Sequence, residues 1–333
     1  MIATNSGDLP NYHLVAKHLK TRGYEPVIVE ADSIANGRAS FSMELKSSGS
    51  ILITYKGQVL DLPSIGAAWY RRPHYYGNPK NQLRWLMIKE EYEATHDSIF
   101  GLVPEDAWLN TLEHMRVADV KFPQLLTAAK LGFEIPTSVT ANSWEAVETL
   151  PSEDVIVKFI THAAIPTNNG GYKGLPTNIL KKNNLPKHGK SYPGLWQSFI
   201  SKKREWRVTV VGDTVFSAAI YTSSEAKNDW REHQFDEKHV TFKAEKLPAK
   251  YEKLCVAYTK QYSLQYGALD LVERPDGSIV FLEINPGGQF VWLEEKLGLP
   301  ISAAIAECLI KIAERRALLN IGAGSQNTTL CVS

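Results

Sequence analysis

Cysteine is scarce in this sequence, and long apolar runs are missing from it. There are three cysteines in 333 residues, an odd number that argues against a disulfide framework, and they lack the spacing of a metal site. No apolar stretch approaches the roughly 18 residues that a membrane-spanning helix requires. The opening residues, MIATNSGDLP, do not have the pattern of a signal peptide. We therefore expect a cytoplasmic protein that has no membrane as a partner.

The charge excludes further classes of protein. Lysine and arginine number 37 and aspartate and glutamate 36, so the formal net charge of +1 gives no reason to expect nucleic acid as a partner. The histidines stand singly, and no Ser-His-Asp, Cys-His or H-E-x-x-H arrangement is present. The length leaves room for two or three domains, at about 100–200 residues each.

The N-terminal third alternates strand and helix patterns. Apolar residues at helical spacing predict a first helix that stops before Gly23. The stretch SILITYKGQVLDL predicts a hairpin that turns at Lys56 and Gly57, and residues 82–100 are strongly helical. Strands that alternate with helices favour an open α/β layer.

The rest of the chain contains further recognisable elements. A helix is predicted over residues 121–131, and Asn142 with Glu145 three positions later resembles a capping box that starts a short helix. Residues 162–174, which contain a proline and three glycines, predict a mobile loop. The last helix is predicted over residues 301–316.

A carboxylate and an amide lie two positions apart at the end of an apolar run, in the stretch FLEINPGG. A hairpin that turns at residues 275–277 would bring Asp270 beside Glu283 and Asn285, because side chains two apart share one face of a strand. One interpretation is an ordinary half-exposed hairpin. The other is a magnesium site, and the apolar flanks favour it because a buried strand seldom holds two carboxylates without a partner.

Two lysines are candidate phosphate ligands. Lys158 interrupts the apolar run VIVKFI, where a cation needs a counter-charge, and a nucleotide phosphate would supply one. A salt-bridged or snorkelling lysine is the alternative. Lys121 opens a helix, and by itself it gives a weaker indication.

Further candidates lie between residues 195 and 231. The strand that runs through Gln197, Phe199 and Ile200 offers an edge backbone to an adenine ring. Arg207 enters the next strand, where its guanidinium could bind phosphate bidentately, and Arg231 is a second candidate anion ligand. Taken singly, each arginine is better explained by a surface salt bridge.

The order of these residues resembles the ATP-grasp superfamily along most of the chain. Longer phrases resemble one branch of it, the microviridin-type maturases or graspetide synthetases: MIATNSGDLP, AAWYRRP, REWRVTVVGDTVFSAAI, DWR and GALDLV…DGSIVFLEINPGGQFVWLE. Enzymes of this superfamily use ATP and two magnesium ions to activate a carboxylate as an acyl phosphate, which an amine or a hydroxyl then attacks.

The resemblance assigns the nucleotide ligands residue by residue. It implies that Lys121 and Lys158 bind the nucleotide, and that Gln197, Phe199 and Ile200 form the hinge that meets adenine.

It also assigns the metal and phosphate sites. Arg207 and Arg231 match arginines near the phosphates and the acyl phosphate, and Asp270, Glu283 and Asn285 match the ligands of two Mg²⁺ ions. The implied cofactors are therefore ATP and Mg²⁺.

The implied fold is α/β, of the α+β ATP-grasp kind, with the nucleotide held between two sheets. We expect an N-terminal pre-ATP-grasp α/β domain, a central ATP-grasp subdomain with a mobile loop, a C-terminal ATP-grasp subdomain with the metal site, and a disordered tail. These correspond to residues 1–107, 108–195, 196–320 and 321–333.

The resemblance implies a ligase that links side chains within a ribosomal precursor peptide, whose leader and core would be its partners. A second copy of the chain is a further candidate partner. One alternative is a ligase that adds an amino acid to a small molecule or a protein terminus. The other is an ATP-binding module without catalysis, which the presence of all three metal ligands disfavours.

Substrate binding is assigned to Arg71 and Arg72, in the charged and aromatic stretch WYRRPHYYGNPKNQLRW. Such a stretch suits acidic and apolar peptide segments. The alternative is that both arginines bind only the acyl phosphate or pair with acidic residues.

Overall fold

The computed structural model describes residues 1–35, 37–48, 51–73, 82–160, 164–166, 172–174, 178–223, 236 and 238–326. Its helices are α1 (Leu9–Thr21), α2 (Ala31–Ala35), α3 (Gln82–Gly101), α4 (Leu112–Ala118), α5 (Lys121–Leu131), α6 (Trp144–Glu148), α7 (Ala249–Gln261), α8 (Val291–Leu297) and α9 (Ile301–Gln326).

The strands of the N-terminal part are β1 (Ile2–Thr4), β2 (Ile28–Glu30), β3 (Phe41–Leu45), β4 (Ile51–Tyr55), β5 (Gln58–Leu60) and β6 (Trp69–Tyr70). The remaining strands are β7 (Ser138–Ser143), β8 (Asp154–Lys158), β9 (Ala164–Pro166), β10 (Tyr172–Gly174), β11 (Asn178–Lys181), β12 (Lys190–Ser198), β13 (Arg204–Val211), β14 (Thr214–Thr222), β15 (Val240–Ala244), β16 (Tyr266–Glu273) and β17 (Ile279–Asn285).

The chain divides into two compact units. Unit 1 comprises Met1–Leu112 with Pro300–Ser333, and unit 2 comprises Glu113–Leu299. The last helix is thus grouped with the N-terminal residues, whereas the sequence suggested a C-terminal segment that reaches residue 320. A subdivision of unit 2 at residue 195 stays a prediction.

Unit 1 contains a parallel sheet, ordered β2-β1-β6, and an antiparallel sheet, ordered β3-β4-β5. The expected α/β layer and the helix over residues 82–100 are confirmed. The hairpin between β4 and β5 turns where predicted, because Lys56 and Gly57 both have positive φ, as a tight hairpin turn requires.

Unit 2 contains two larger sheets. One is ordered β11-β8-β12-β7, and the other is ordered β15-β14-β13-β16-β17. Helices α5 and α7 cover one face of the five-stranded sheet, where Trp206, Leu269 and Phe281 belong to a single apolar core. Among the helices of the described residues, none has both the length and the apolar character needed to cross a membrane.

Three local predictions differ from the structure. Asn142 lies within β7, so it is not a helix cap; Ser143 precedes α6, and Glu145 accepts a hydrogen bond from the backbone of Gly189 instead of closing a capping box. The segment predicted as a mobile loop contains the antiparallel strands β9 and β10, and its other residues up to 171 lie outside the described part. Helix α9 continues well past residue 316.

A partly buried ion pair fixes one end of the five-stranded sheet. Arg204 of β13 lies opposite Glu273 of β16, and its Nε donates to the Glu273 carboxylate at 2.6 Å. Lys203 and Trp206 also donate to this carboxylate, each at 3.0 Å. Burial raises the pKa of Glu273, but these hydrogen bonds outweigh it and hold the pKa below its usual value.

We expect Glu273→Gln to lower the free energy of unfolding by about 3 kcal/mol at neutral pH, because an ion pair loses its buried charge. Because the folded pKa is depressed, this stabilisation is present above the ordinary glutamate pKa and is lost as pH falls through the folded value. The difference between the proteins should therefore shrink below about pH 4.

Urea unfolding at pH 7 and pH 3.5 measures this effect, with the exposed Glu295→Gln as the control. Equal stability of the Glu273 variant and the wild type at pH 7 would contradict the prediction.

Candidate active site

Three neighbouring strands place polar side chains on one face of the five-stranded sheet. Arg207 of β13 lies opposite Asp270 of β16, and Asp270 lies opposite Glu283 of β17. Asn285 is two residues beyond Glu283, opposite Ala268. Because directly opposed residues point to the same face, the three predicted metal ligands and Arg207 are brought together.

A bulge in β17 makes this arrangement compatible with a buried hairpin. The pairing register shifts after Asp270, so that Leu282 is an additional residue in β17. A bulge reverses the alternation of side chains beyond it. The core-facing residues of the strand are Ile279, Phe281 and Ile284. Glu283 and Asn285 are therefore turned away from the core.

Two lysines from different elements converge on one carboxylate oxygen. The Nζ of Lys121, at the start of α5, lies 3.0 Å from Oε2 of Glu283, and the Nζ of Lys158, at the end of β8, lies 3.8 Å from the same atom. All three side chains remain partly exposed. Lys158 therefore has a carboxylate counter-charge in unit 2, as its place in an apolar strand requires.

Arg207 is held more rigidly than the lysines. It is 8% exposed; its Nη1 donates to Oδ1 of Asp270 at 2.8 Å, and its Nη2 donates to the carbonyl of Gln289 at 3.2 Å. Its buried Nε has no hydrogen-bond partner among the described residues. An orphaned donor of this kind is costly, and it suits a site that receives an anion.

The turn after β17 leaves no room for a side chain at Gly288. A Cβ there would lie 2.5 Å from the Cβ of Ala268 and 2.9 Å from Nη2 of Arg207. The hydroxyl of Tyr266 donates to the Gly288 carbonyl at 2.7 Å and fixes this backbone. The position of Arg207 thus depends on a close approach to the backbone of residue 288, which only glycine permits.

We expect Gly288→Ala to reduce turnover about tenfold or more through displacement of Arg207, a predicted catalytic residue, since a small misplacement of such a group is costly. Steady-state kinetics beside thermal unfolding test it, with Gly101→Ala as the control, because Gly101 has open space around it and no positive φ. Turnover equal to that of the wild type would contradict the expectation.

The donor set fits magnesium rather than a softer metal. The described residues hold no group of three or more His, Cys, Asp or Glu side chains suited to a metal ion. Mg²⁺ instead takes one or two carboxylates together with substrate phosphates. Asp270 and Glu283 offer two carboxylates, and Asn285 offers an amide oxygen, which accepts a hydrogen bond from Gly287 at 3.0 Å.

The predicted adenine hinge differs from an exposed sheet edge. Strand β12 lies between β8 and β7, so the backbone of Gln197 is inside the sheet. Gln197 is 2% exposed and donates to the hydroxyl of Ser138, while the N–H of Phe199 donates to the carbonyl of Asp154. Phe199 and Ile200 follow the end of the strand and are half-buried. A role of these residues in adenine binding stays a prediction.

Two further predicted residues, Arg71 and Arg72, belong to unit 1. Arg71 is 0% exposed in unit 1, where its guanidinium binds the carboxylate of Asp8 at 2.8 and 3.1 Å. This contact matches the alternative in which Arg71 pairs with an acidic residue. Arg72 is half-buried with a φ of 48° and accepts a hydrogen bond from Asn5 on its carbonyl. Arg231 lies outside the described residues.

Sequence reasoning missed Gln124 and the role of Gly288. Gln124 is buried against β17, but a glutamine in a helix usually indicates a solvent-facing position. The paired glycines of NPGG did carry a signal, because such a pair often marks a close approach of the backbone.

Comparisons with known proteins agree with this fold. The family model of the MvdD pre-ATP grasp domain matches residues 1–116. The structure is similar to that of the macrocyclase MdnC from Microcystis aeruginosa MRC, solved with precursor peptide MdnA bound. The two sequences are 27% identical, the match covers 93% of this chain and 98% of that one, and the TM-score is 0.77. No curated protein sequence matches that of this chain.

Two further solved structures are similar. One is a RiPP-associated ATP-grasp ligase from Chryseobacterium gregarium in complex with ADP and a leader and core peptide, with 27% identity, coverage of 93% and 96%, and a TM-score of 0.77. The other is the ATP-grasp ligase PsnB with a minimal precursor variant, Mg and ADP, with 20% identity, coverage of 94% and 98%, and a TM-score of 0.73.

The fold and these matches define an ATP-grasp ligase. These matches support the graspetide-type maturase that the resemblance in the sequence implied.

Proposed function

We propose that this protein is an ATP-dependent ligase that acts on a ribosomal precursor peptide. It activates acidic side chains of the peptide as acyl phosphates and joins them to hydroxyl or amine side chains. Two similar ligases, each 27% identical to this chain, were solved with a precursor peptide or with a leader and core peptide. The observation that carries the proposal is the convergence of Lys121 and Lys158 on Glu283, beside the pair of Arg207 and Asp270.

The cofactors are ATP and magnesium. When bound, magnesium neutralises charge on the triphosphate, and Asp270, Glu283 and Asn285 are the residues that would hold it. Lys121 and Lys158 pair with a carboxylate through flexible side chains, so their ammonium groups can turn from Glu283 to phosphate oxygens. A cytoplasmic location, where ATP is abundant, is part of the proposal.

The reaction has two steps. A carboxylate oxygen of the peptide attacks the γ-phosphorus of ATP, and the bond between that phosphorus and ADP breaks. A hydroxyl or amine of the peptide then attacks the acyl carbon, phosphate leaves, and the proton of the nucleophile is released. Arg207, fixed at both terminal nitrogens, is suited to stabilise the negative charge that develops near the acyl phosphate.

The test combines the purified protein with ATP, MgCl₂ and synthetic peptides encoded beside its gene that contain Ser, Thr or Lys together with Asp and Glu. We expect peptide-dependent phosphate release and a loss of one water for each ring, seen by mass spectrometry. Turnover supported by a free amino acid, with no loss of water from any peptide, would favour the small-molecule ligase instead.

A further inference from the structure

Gln124 connects the helix that carries Lys121 to the strand that carries the predicted metal ligands. It is 1% exposed, and its Nε2 donates to the carbonyl of Ile284 at 3.1 Å. In return, the N–H of Ile284 donates to Oε1 of Gln124 at 3.1 Å. The same Nε2 also donates to the carbonyl of Ala118 at 2.6 Å, and the hydroxyl of Tyr258 donates to the Gln124 carbonyl at 3.1 Å.

The position of Ile284 gives this contact its importance. Strand β17 is the outermost strand of its sheet, and within the described part of the chain its outer edge meets the backbone of Glu134, beside Val280 and Phe281, but not another strand. The amide of Gln124 makes the two hydrogen bonds that a residue of a neighbouring antiparallel strand would make. Ile284 lies between Glu283 and Asn285, so this contact fixes the backbone from which both side chains project.

Gln124 also fixes the position of Lys121 relative to β17. Lys121 and Gln124 are three positions apart in α5 and therefore lie on neighbouring positions of one helix face. Gln124 anchors that face to β17, where the Nζ of Lys121 meets Glu283 at 3.0 Å. The Gln124 side chain thus holds Lys121, a predicted phosphate ligand, at a fixed distance from the strand that carries two predicted metal ligands.

We infer that Gln124 is a positioning residue for the magnesium–nucleotide site, an inference that rests on the proposed function. Its side chain touches no reacting atom; it acts through the backbone of Ile284 and through helix α5. Residues that hold metal ligands in place without contacting the metal typically contribute 10–100-fold to metal affinity or activity.

The test is Gln124→Met, which keeps the length of the side chain and removes its hydrogen bonds. Without added nucleotide, the N–H of Ile284 should exchange with solvent faster than in the wild type, as measured by hydrogen–deuterium exchange. With ATP saturating, the half-saturating MgCl₂ concentration for turnover should rise about tenfold, and calorimetry should show a similar loss of ADP affinity in the presence of MgCl₂.

Ser217→Ala is the matched control. Ser217 is also buried, and its hydroxyl also bridges a carbonyl and an N–H of another segment, those of Glu245 and Leu247. A merely structural role for Gln124 would make the two variants alike, with lower melting temperatures and unchanged magnesium dependence, and that result would overturn the inference. If Gln124→Met does not fold, Gln124→Asn is measured in its place, because its side chain keeps the amide but is one methylene shorter. The comparison with Ser217→Ala is then the same.

The wild type separates this inference from the proposed function. If the wild type binds no ADP in MgCl₂ and consumes no ATP with any peptide, the proposed function fails and the inference fails with it. If the wild type is active and Gln124→Met behaves as Ser217→Ala does, only the inference fails.

Discussion

Glu283→Gln should reduce ATP turnover by about a hundredfold or more while the protein still folds. Glutamine keeps the size of the side chain but removes the negative charge that faces Lys121 and Lys158 at 3.0 and 3.8 Å. It also removes one of the two carboxylates that we propose as magnesium ligands. The side chain is partly exposed and lies outside the apolar core, so we expect a small change in stability.

Phosphate release at increasing MgCl₂ concentrations measures this effect, and circular dichroism reports the fold. Glu134→Gln is the control, because Glu134 is an exposed, ion-paired glutamate whose backbone also contacts β17. A Glu283 variant that keeps half or more of the wild-type turnover would rule out Glu283 as a metal ligand.

Arg207→Lys should lower kcat about a hundredfold and change the KM for ATP much less. The reason is that the proposed contact of Arg207 with the acyl phosphate is needed mainly in the transition state. Lysine keeps the positive charge, but one ammonium group cannot reproduce the planar fork that binds Asp270 and the carbonyl of Gln289. The effect should therefore appear even though the charge is retained.

Arg274→Lys is the matched control, since Arg274 pairs with Glu134 away from the site. Kinetics with saturating peptide separate kcat from KM. If the two lysine variants have equal kcat values, Arg207 contributes only a charge, and its assignment to the acyl phosphate is wrong.

Local chemistry made several elements predictable from the sequence. Helix α5 begins at Lys121 and ends before Gly132, whose φ of 100° suits the left-handed end of a helix. The hairpin of β16 and β17 was predictable for a similar reason, because a polar turn with Gly277 separates two apolar runs. These features depend on residues that are close in the chain.

The features that sequence reasoning missed depend on distant residues. Arg71 is buried because Asp8, 63 positions away, pairs with it, and no local pattern shows that partner. Strand β12 was interpreted as an edge strand, but it lies between β8 and β7. The topology of the sheet sets these two neighbours, and the sequence of the strand does not reveal them. Gln124 contacts Ile284 across 160 positions. A sequence indicates which residues are polar, but the fold decides which of them meet.

The extra residue in β17 has an evolutionary consequence. The face on which Glu283 lies depends on the number of residues that separate it from Ile279 and on the bulge between them. The length of this strand therefore matters as much as its side chains. A strand of the same length that paired regularly would turn the carboxylate into the apolar core, whereas a strand that lacked Leu282 would pair regularly with Glu283 still opposite Asp270. Substitution of Leu282 would leave the count intact. Relatives that keep this chemistry should therefore have either the bulge with its additional residue or a regularly paired strand that is one residue shorter.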